Sequence, residues 1–213
     1  MNTIRKLMAT ALLTALAALG ASAQKTATEA FSTAPRKVMP MLDESTRLDM
    51  IDYYNANMDT PSENAYGGKS RITSMSPEQL TVQMTDATRV QIIVLPDGKQ
   101  GLIGVITTVA SPTPDSRLSV YSGDWSRDLT ASTFTKPVLT DWLTDAGRKN
   151  MSEVELTVPF LLISYTYDPQ TKTLTLTNNA REFLGDDVYA DISSYLLGKI
   201  NYRFNGKRFE KVK

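Results

Sequence analysis

Short segments in which apolar and polar residues alternate constrain the fold of this chain more than any other feature. The clearest contains Ile200, Tyr202 and Phe204, which are separated by polar residues. Alternation at period two is typical of β-strands with one buried face. The pair Asn205-Gly206 follows directly, and both residues tolerate the positive φ that a tight hairpin turn requires. Strands joined by such short turns pair in antiparallel fashion, so the sequence predicts a mainly antiparallel sheet built from hairpins and meanders.

The same pattern recurs along most of the chain. The predicted strands cover residues 69–75, 80–85, 90–95, 101–109, 117–121, 161–167, 173–177, 200–204 and 208–212. The segment 90–95 is more uniformly apolar than the others, which indicates a central strand. A tight type I′ turn is predicted at Asp97-Gly98.

Helical periodicity is clearest between residues 45 and 58. Its apolar stripe consists of Leu48, Ile51, Tyr54 and Met58, and Arg47 is expected on the exposed face. Short helices are also predicted near 138–143 and 187–195. The predicted fold class is therefore α+β, with one amphipathic N-terminal helix and one or two short helices beside the sheet. Strands and helices do not alternate as they do in doubly wound nucleotide-binding folds.

Residues 1–23 have the features of a secretory signal peptide. Arg5 and Lys6 precede an apolar stretch over 7–20, and Ala21-Ser22-Ala23 offers the small side chains that signal peptidase requires. The apolar stretch is too short for a membrane-spanning helix, which needs about 20 residues. Cleavage after Ala23 is expected to leave a single α+β domain over residues 24–213, with an irregular segment near 123–150.

The chain has no His and no Cys. This composition excludes imidazole bases, Ser-His-Asp triads, thiolate nucleophiles, disulfides and the usual zinc sites. A bacterial lipoprotein needs a Cys at its cleavage point, so no lipid anchor is expected and the predicted location is periplasmic or secreted. The net charge of zero lacks the basic field of a nucleic-acid-binding protein. No cofactor, metal ligand or catalytic residue is predicted.

Aromatic residues beside an acid form the candidate ligand surface. Tyr121, Asp124, Trp125 and Trp142 lie in or next to the irregular segment. Exposed Trp and Tyr side chains beside a carboxylate are suited to a sugar or a protein contact. The alternative is that both Trp side chains fill the end of the core, because large aromatic side chains are mostly buried.

Carboxylate pairs keep a second function open, since a glycosidase needs only two acids on either side of the sugar. The acids considered are Asp49 with Asp52, Asp124 with Asp128, Glu153 with Glu155, and Asp186 and Asp187 with Asp191. Glu153 and Glu155 are expected on the same side of a strand. For each group, exposure on a solvated surface is the competing interpretation.

Several motifs resemble one family of secreted proteins. They are the segments Thr46-Arg47-Leu48-Asp49-Met50-Ile51-Asp52, Gly68-Lys69-Ser70, Tyr121 to Trp125, and the C-terminal segment from Tyr202 to Phe209. Together they resemble an uncharacterised Bacteroidales family catalogued as domain of unknown function 3256. The resemblance covers most of the chain after residue 23 and implies secretion and one domain. It implies no catalytic residue, because the family has no assigned activity.

Two functions follow from these observations. The first is a secreted, non-enzymatic domain that binds an envelope protein or a glycan. This domain is not expected to bind nucleic acid or, after cleavage, to span a membrane. The alternative is a carboxylate-based glycan hydrolase that uses acids around Trp125 or within 186–191. A pocket lined by two facing carboxylates and an aromatic residue would favour the hydrolase.

Overall fold

The computed structural model describes residues 24–212, which form three layers. A helical layer covers one face of a six-stranded sheet, and a four-stranded sheet covers the other face. The predicted signal peptide lies outside the described residues. No helix within residues 24–212 is long and apolar enough to cross a membrane.

The six-stranded sheet is an antiparallel meander whose spatial order follows the chain order. Its strands are β1 (Ser62–Glu63), β2 (Lys69–Met75), β3 (Gln79–Gln83), β4 (Thr88–Leu95), β5 (Leu102–Ala110) and β6 (Pro114–Ser122). The second sheet has the order β10-β9-β8-β7 and is antiparallel as well. Its strands are β7 (Ile163–Asp168), β8 (Thr173–Asn178), β9 (Lys199–Phe204) and β10 (Phe209–Lys211). The predicted α+β class with mainly antiparallel pairing is confirmed.

Strand β4 connects the two cores. Val90, Ile92 and Val94 point to the helical layer, whereas Ile93 and Leu95 point to the second sheet. Successive side chains of a strand lie on opposite faces, so an uninterrupted apolar run produces this double burial. The apolar run at 90–95 therefore indicated a central strand correctly.

The second sheet buries one face and exposes the other. Tyr165, Leu174 and Tyr202 belong to the core between the sheets, while threonines and charged residues occupy the outer face. The outer edge of β7 is covered by side chains of β6 rather than by another strand. The backbone N–H of Ile163 donates to Asp115 Oδ1 at 3.0 Å, and that of Tyr165 donates to Ser116 Oγ at 3.0 Å. These bonds satisfy an edge that would otherwise stay open for pairing.

Two helices form the helical layer: α1 (Ala27–Ser32) and α2 (Glu44–Asn55). Helix α1, for which no helix is predicted from the sequence, begins at a capping box between Thr26 and Glu29. Helix α2 ends before the predicted residue 58, and its cap is Asp43, whose carboxylate accepts from the backbone N–H of Thr46 at 2.8 Å.

The buried face of α2 matches the predicted stripe only in part: Ile51 is buried and Tyr54 packs against the core, as expected. Leu48 and Met58 are about half exposed, whereas Arg47, expected on the outer face, is buried. The Arg47 guanidinium donates to Leu42 O at 2.6 Å and to Ser32 O at 3.0 Å. These two carbonyls come from the end of α1 and from the segment before α2, so Arg47 holds the helical layer together.

The segment between the sheets is more helical than predicted. Its helices are α3 (Thr130–Thr133), a 3-10 helix (Leu139–Trp142), α4 (Asp145–Lys149) and α5 (Met151–Thr157). After β8 follow α6 (Ala180–Leu184), α7 (Asp186–Ile192) and a 3-10 turn (Ser193–Tyr195). The prediction that Glu153 and Glu155 share a strand face is wrong, because both lie on α5, where Val154 between them is the buried residue.

Candidate functional site

A cleft of about 660 Å³ lies at one end of the six-stranded sheet. One wall is the loop of residues 96–101 between β4 and β5, and the other is the turn that follows β6. The cleft is lined by Asp97, Gly98, Lys99, Gln100, Gly101, Leu102, Ser122, Gly123, Asp124 and Arg127. Most of this lining is polar or charged, and three of these residues are glycines whose backbone is directly accessible.

The first wall is a six-residue loop and not the predicted two-residue turn at Asp97-Gly98. Asp97 Oδ1 accepts hydrogen bonds from the backbone N–H groups of Lys99 at 2.8 Å and Gly101 at 2.9 Å. Gly98 and Gly101 have φ values of 77° and 84°, a region that favours glycine. The Asp97 carboxylate thus accepts backbone hydrogen bonds within the loop, where a tight hairpin would have bonds between the two strands. The connection between β4 and β5 is longer as a result.

The second wall is organised around the Asp124 carboxylate. Its Oδ1 accepts from Ser122 Oγ at 2.6 Å, from Ser126 Oγ at 2.8 Å and from the Ser126 backbone N–H at 3.1 Å. The Ser122 bond, followed by the Ser126 bonds, lowers the pKa of Asp124 far below its usual range. Asp124 is therefore a charged acceptor near neutral pH and has no proton to donate.

The two walls are in direct backbone contact. A Cβ atom on Gly123 would lie 2.7 Å from the carbonyl oxygen of Gly101, so only glycine permits this approach. Lys25 also joins the walls, because its Nζ donates to Gly123 O at 3.0 Å and its backbone N–H donates to Gln100 O at 3.3 Å. The relative position of the walls is thus fixed by local geometry and hydrogen bonds.

Trp125 anchors the second wall of the cleft to the protein core. Its backbone has φ 64°, unusual for a residue with a bulky side chain, and its side chain is buried in the core under the helical layer. The indole ring packs against the Tyr121 ring with centroids 5.3 Å apart. Burial of the indole stabilises the turn that presents Asp124 and Arg127 to the cleft.

The structure separates the residues of the predicted ligand surface. Asp124 lines the cleft, and Tyr121 lines a second depression of about 480 Å³ on the neighbouring sheet face, together with Lys37 and Arg117. Trp125 is buried between these surfaces. Trp142 is fully buried in the core between the sheets. Tyr121, Asp124 and Trp125 are therefore neighbours, and Trp142 is remote from their surface.

Three charged residues of the cleft were not identified from the sequence. Asp97 was recognised only as a turn residue, and Lys99 and Arg127 carried no motif. Together with Asp124 they give the cleft two cations and two anions. Such a lining offers both hydrogen-bond donors and acceptors to a polar ligand. Within residues 24–212 no group of three or more Asp or Glu residues is placed to hold a metal ion.

Comparisons with known proteins extend over almost the whole described chain. The sequence profile of the family described as "Protein of unknown function (DUF3256)" matches residues 18–209. A solved domain of an uncharacterized protein from Porphyromonas gingivalis W83 has a similar fold, with a TM-score of 0.71 at 20% identity, covering 85% of this chain and 96% of that chain. No curated protein matches the chain. On the extent of the profile match, the chain belongs to the family of proteins of unknown function DUF3256.

Proposed function

We propose that the protein is a secreted, non-enzymatic binding domain of the bacterial envelope whose cleft holds a polar segment of an envelope protein or glycan. The observation that carries this proposal is the fixed geometry of the cleft. Both Asp97 and Asp124 accept several hydrogen bonds from their own loops, and the walls meet at Gly123. Charged groups held in place before binding lose little entropy when a ligand arrives, which favours binding.

Secretion follows from the features of residues 1–23. The charged start, the apolar stretch and Ala21-Ser22-Ala23 fit a cleavable signal peptide. Gln24 would be the first residue of the processed chain. It lies beside Gly101 of the cleft wall, because a Cβ atom placed on Gly101 would be 3.4 Å from Gln24 Cγ.

The carboxylates near the cleft are poorly suited to glycan hydrolysis. A glycosidase needs one acid whose pKa is raised so that it keeps its proton. The pKa of Asp124 is lowered, and that of Asp128 is lowered by hydrogen bonds from the Thr130 hydroxyl and backbone N–H. In the other acidic group, Asp186 is exposed and paired with Arg181 at 2.8 Å. These environments favour binding over proton donation.

The test compares cleft variants for capture of envelope material. The double variant D124N/R127A removes one anion and one cation, and the amide oxygen of the introduced asparagine can still accept the bonds that shape the turn. We expect the immobilised protein to capture the same envelope component as a control variant, D52N/R203A, whose changes lie on exposed residues outside the cleft lining and outside helices α4 to α7. Capture by D124N/R127A is expected to be weaker by at least about tenfold, since hydrogen bonds to charged groups contribute about 1.5–3 kcal/mol each.

The same preparations are assayed for release of reducing sugar from envelope glycans. Equal capture by D124N/R127A and the control would contradict a ligand site in the cleft. Sugar release that disappears in D124N/R127A but persists in the control would contradict the non-enzymatic role and favour the hydrolase.

A further inference from the structure

Helices α4 to α7 and the segments next to them, which we call the helical lobe, carry an exposed aromatic pair. Phe160 is 51% exposed and Phe183 is 39% exposed, and their ring centroids are 4.7 Å apart. Leu156 on α5 is 86% exposed, and Val188 on α7 is 45% exposed. We call these four residues the aromatic patch. None of them is among the described residues that line the cleft.

The patch is not an extension of the core beneath it. The helical lobe already has a small core of its own, in which Val154, Val158 and Ala180 are buried. Leu156, Phe183 and Val188 lie on the same short helices as residues of this core but are themselves exposed. Large apolar side chains grouped at a surface usually mark a contact with another molecule. The arrangement therefore indicates an interface.

Exposed acidic side chains lie on the same helices as the aromatic patch, and we call them its rim. The exposed acids on its helices are Glu153, Glu155, Glu182, Asp186, Asp187 and Asp191. Two of the nearby cations are already engaged: Arg181 pairs with Asp186 at 2.8 Å, and the Arg148 guanidinium donates to Leu143 O at 3.1 Å. The rim of the patch is thus predominantly negative, and a complementary partner would carry positive charge.

The negative rim distinguishes between possible occupants. In a symmetric dimer the same patch of two copies would meet, which would bring acids against acids. An anionic lipid surface would be repelled for the same reason. We propose that the aromatic patch docks a protein segment whose apolar side chains are flanked by Lys or Arg. This surface is additional to the cleft and does not depend on the proposed function of the cleft.

The test uses the protein and two synthetic amphipathic peptides of equal length. Both peptides place leucines at helical spacing, and their polar positions are all lysine in one and all glutamate in the other. We expect fluorescence anisotropy to show binding of the lysine peptide, with at least about tenfold weaker binding of the glutamate peptide. The variant F160S/F183S is expected to lose at least about tenfold in affinity for the lysine peptide. The control Y66S changes an exposed aromatic residue elsewhere and is expected to bind as the wild type does.

A variant that changes only charges separates loss of binding from loss of folding. E153K/E155K leaves the aromatic side chains in place and is expected to weaken lysine-peptide binding while circular dichroism stays unchanged. Equal affinity for both peptides, or unchanged binding by F160S/F183S, would overturn the proposal. So would a dimer in light scattering that F160S/F183S abolishes, or binding to anionic phosphatidylglycerol vesicles that F160S/F183S abolishes.

Discussion

Replacing Trp142 with alanine is expected to lower the free energy of unfolding by about 4 kcal/mol. Trp142 is fully buried in the core between the two sheets, so alanine would leave a cavity where the indole packs. Small domains have a total stability of about 5–15 kcal/mol, so this loss would be a large share of it. Urea unfolding followed by far-UV circular dichroism measures the change.

The matched control is Trp142 to phenylalanine. The indole N–H of Trp142 is buried and has no hydrogen-bond partner among the described residues, so phenylalanine removes no bond. We expect W142F to cost less than half as much as W142A. An equal cost for both substitutions would contradict a role based on packing, and a negligible cost for W142A would contradict burial between the sheets.

Replacing Arg47 with alanine is expected to lower the free energy of unfolding by about 3 kcal/mol. The substitution leaves the carbonyls of Ser32 and Leu42 without their donor and opens a cavity under the helical layer. Each buried acceptor without a partner costs about 1–3 kcal/mol. The same urea titration measures this loss.

Two further substitutions separate packing from hydrogen bonding at this position. R47M fills most of the space without donating, and R47K keeps a cation that cannot reach two carbonyls with the geometry of a guanidinium. We expect R47M to be nearly as destabilised as R47A, with R47K intermediate. A methionine variant as stable as the wild type would show that the hydrogen bonds to Ser32 and Leu42 contribute little.

The sheets could be predicted because their signals are local. Alternation within β8 and β9 set the buried face of each strand, and Asn205-Gly206 gave the hairpin before β10. The apolar run of β4 indicated a central strand. Each of these signals lies within a few residues of the chain, where side-chain period and turn chemistry act directly.

The helical layer could not be predicted in the same way. Arg47 looks like a surface residue in the sequence, because nothing local shows that the carbonyls of Ser32 and Leu42 converge on it. The exposed Leu48 illustrates the same limit. Its position in an apolar stripe did not decide which face of α2 meets the sheet.

The cleft was predicted only in part for a related reason. Asp124 could be identified because it is an acid next to the aromatic Trp125. Asp97, Lys99 and Arg127 reach the same cleft through the pairing of β5 with β4 and β6, a long-range feature. Burial of Trp125 depends on a left-handed backbone conformation that a sequence pattern does not reveal.

The lowered pKa of Asp124 also has a consequence for stability. A carboxyl whose pKa is lower in the folded chain contributes stability above its unfolded pKa, and this contribution is lost as pH falls toward the folded pKa. For Asp124 the loss therefore occurs below the usual aspartate value of 3.8. Near neutral pH the contribution is fully present, and the cleft keeps its shape.

The protonation state of Asp124 most directly tests whether the cleft is a ligand-binding site or an active site that donates a proton. Carboxyl ¹³C NMR of the labelled protein, with D124N used to assign the signal, follows this group during a pH titration. We predict that Asp124 remains ionised well below 3.8, its usual value. A midpoint raised to about 6, as in a general acid, would contradict the account and favour a hydrolase.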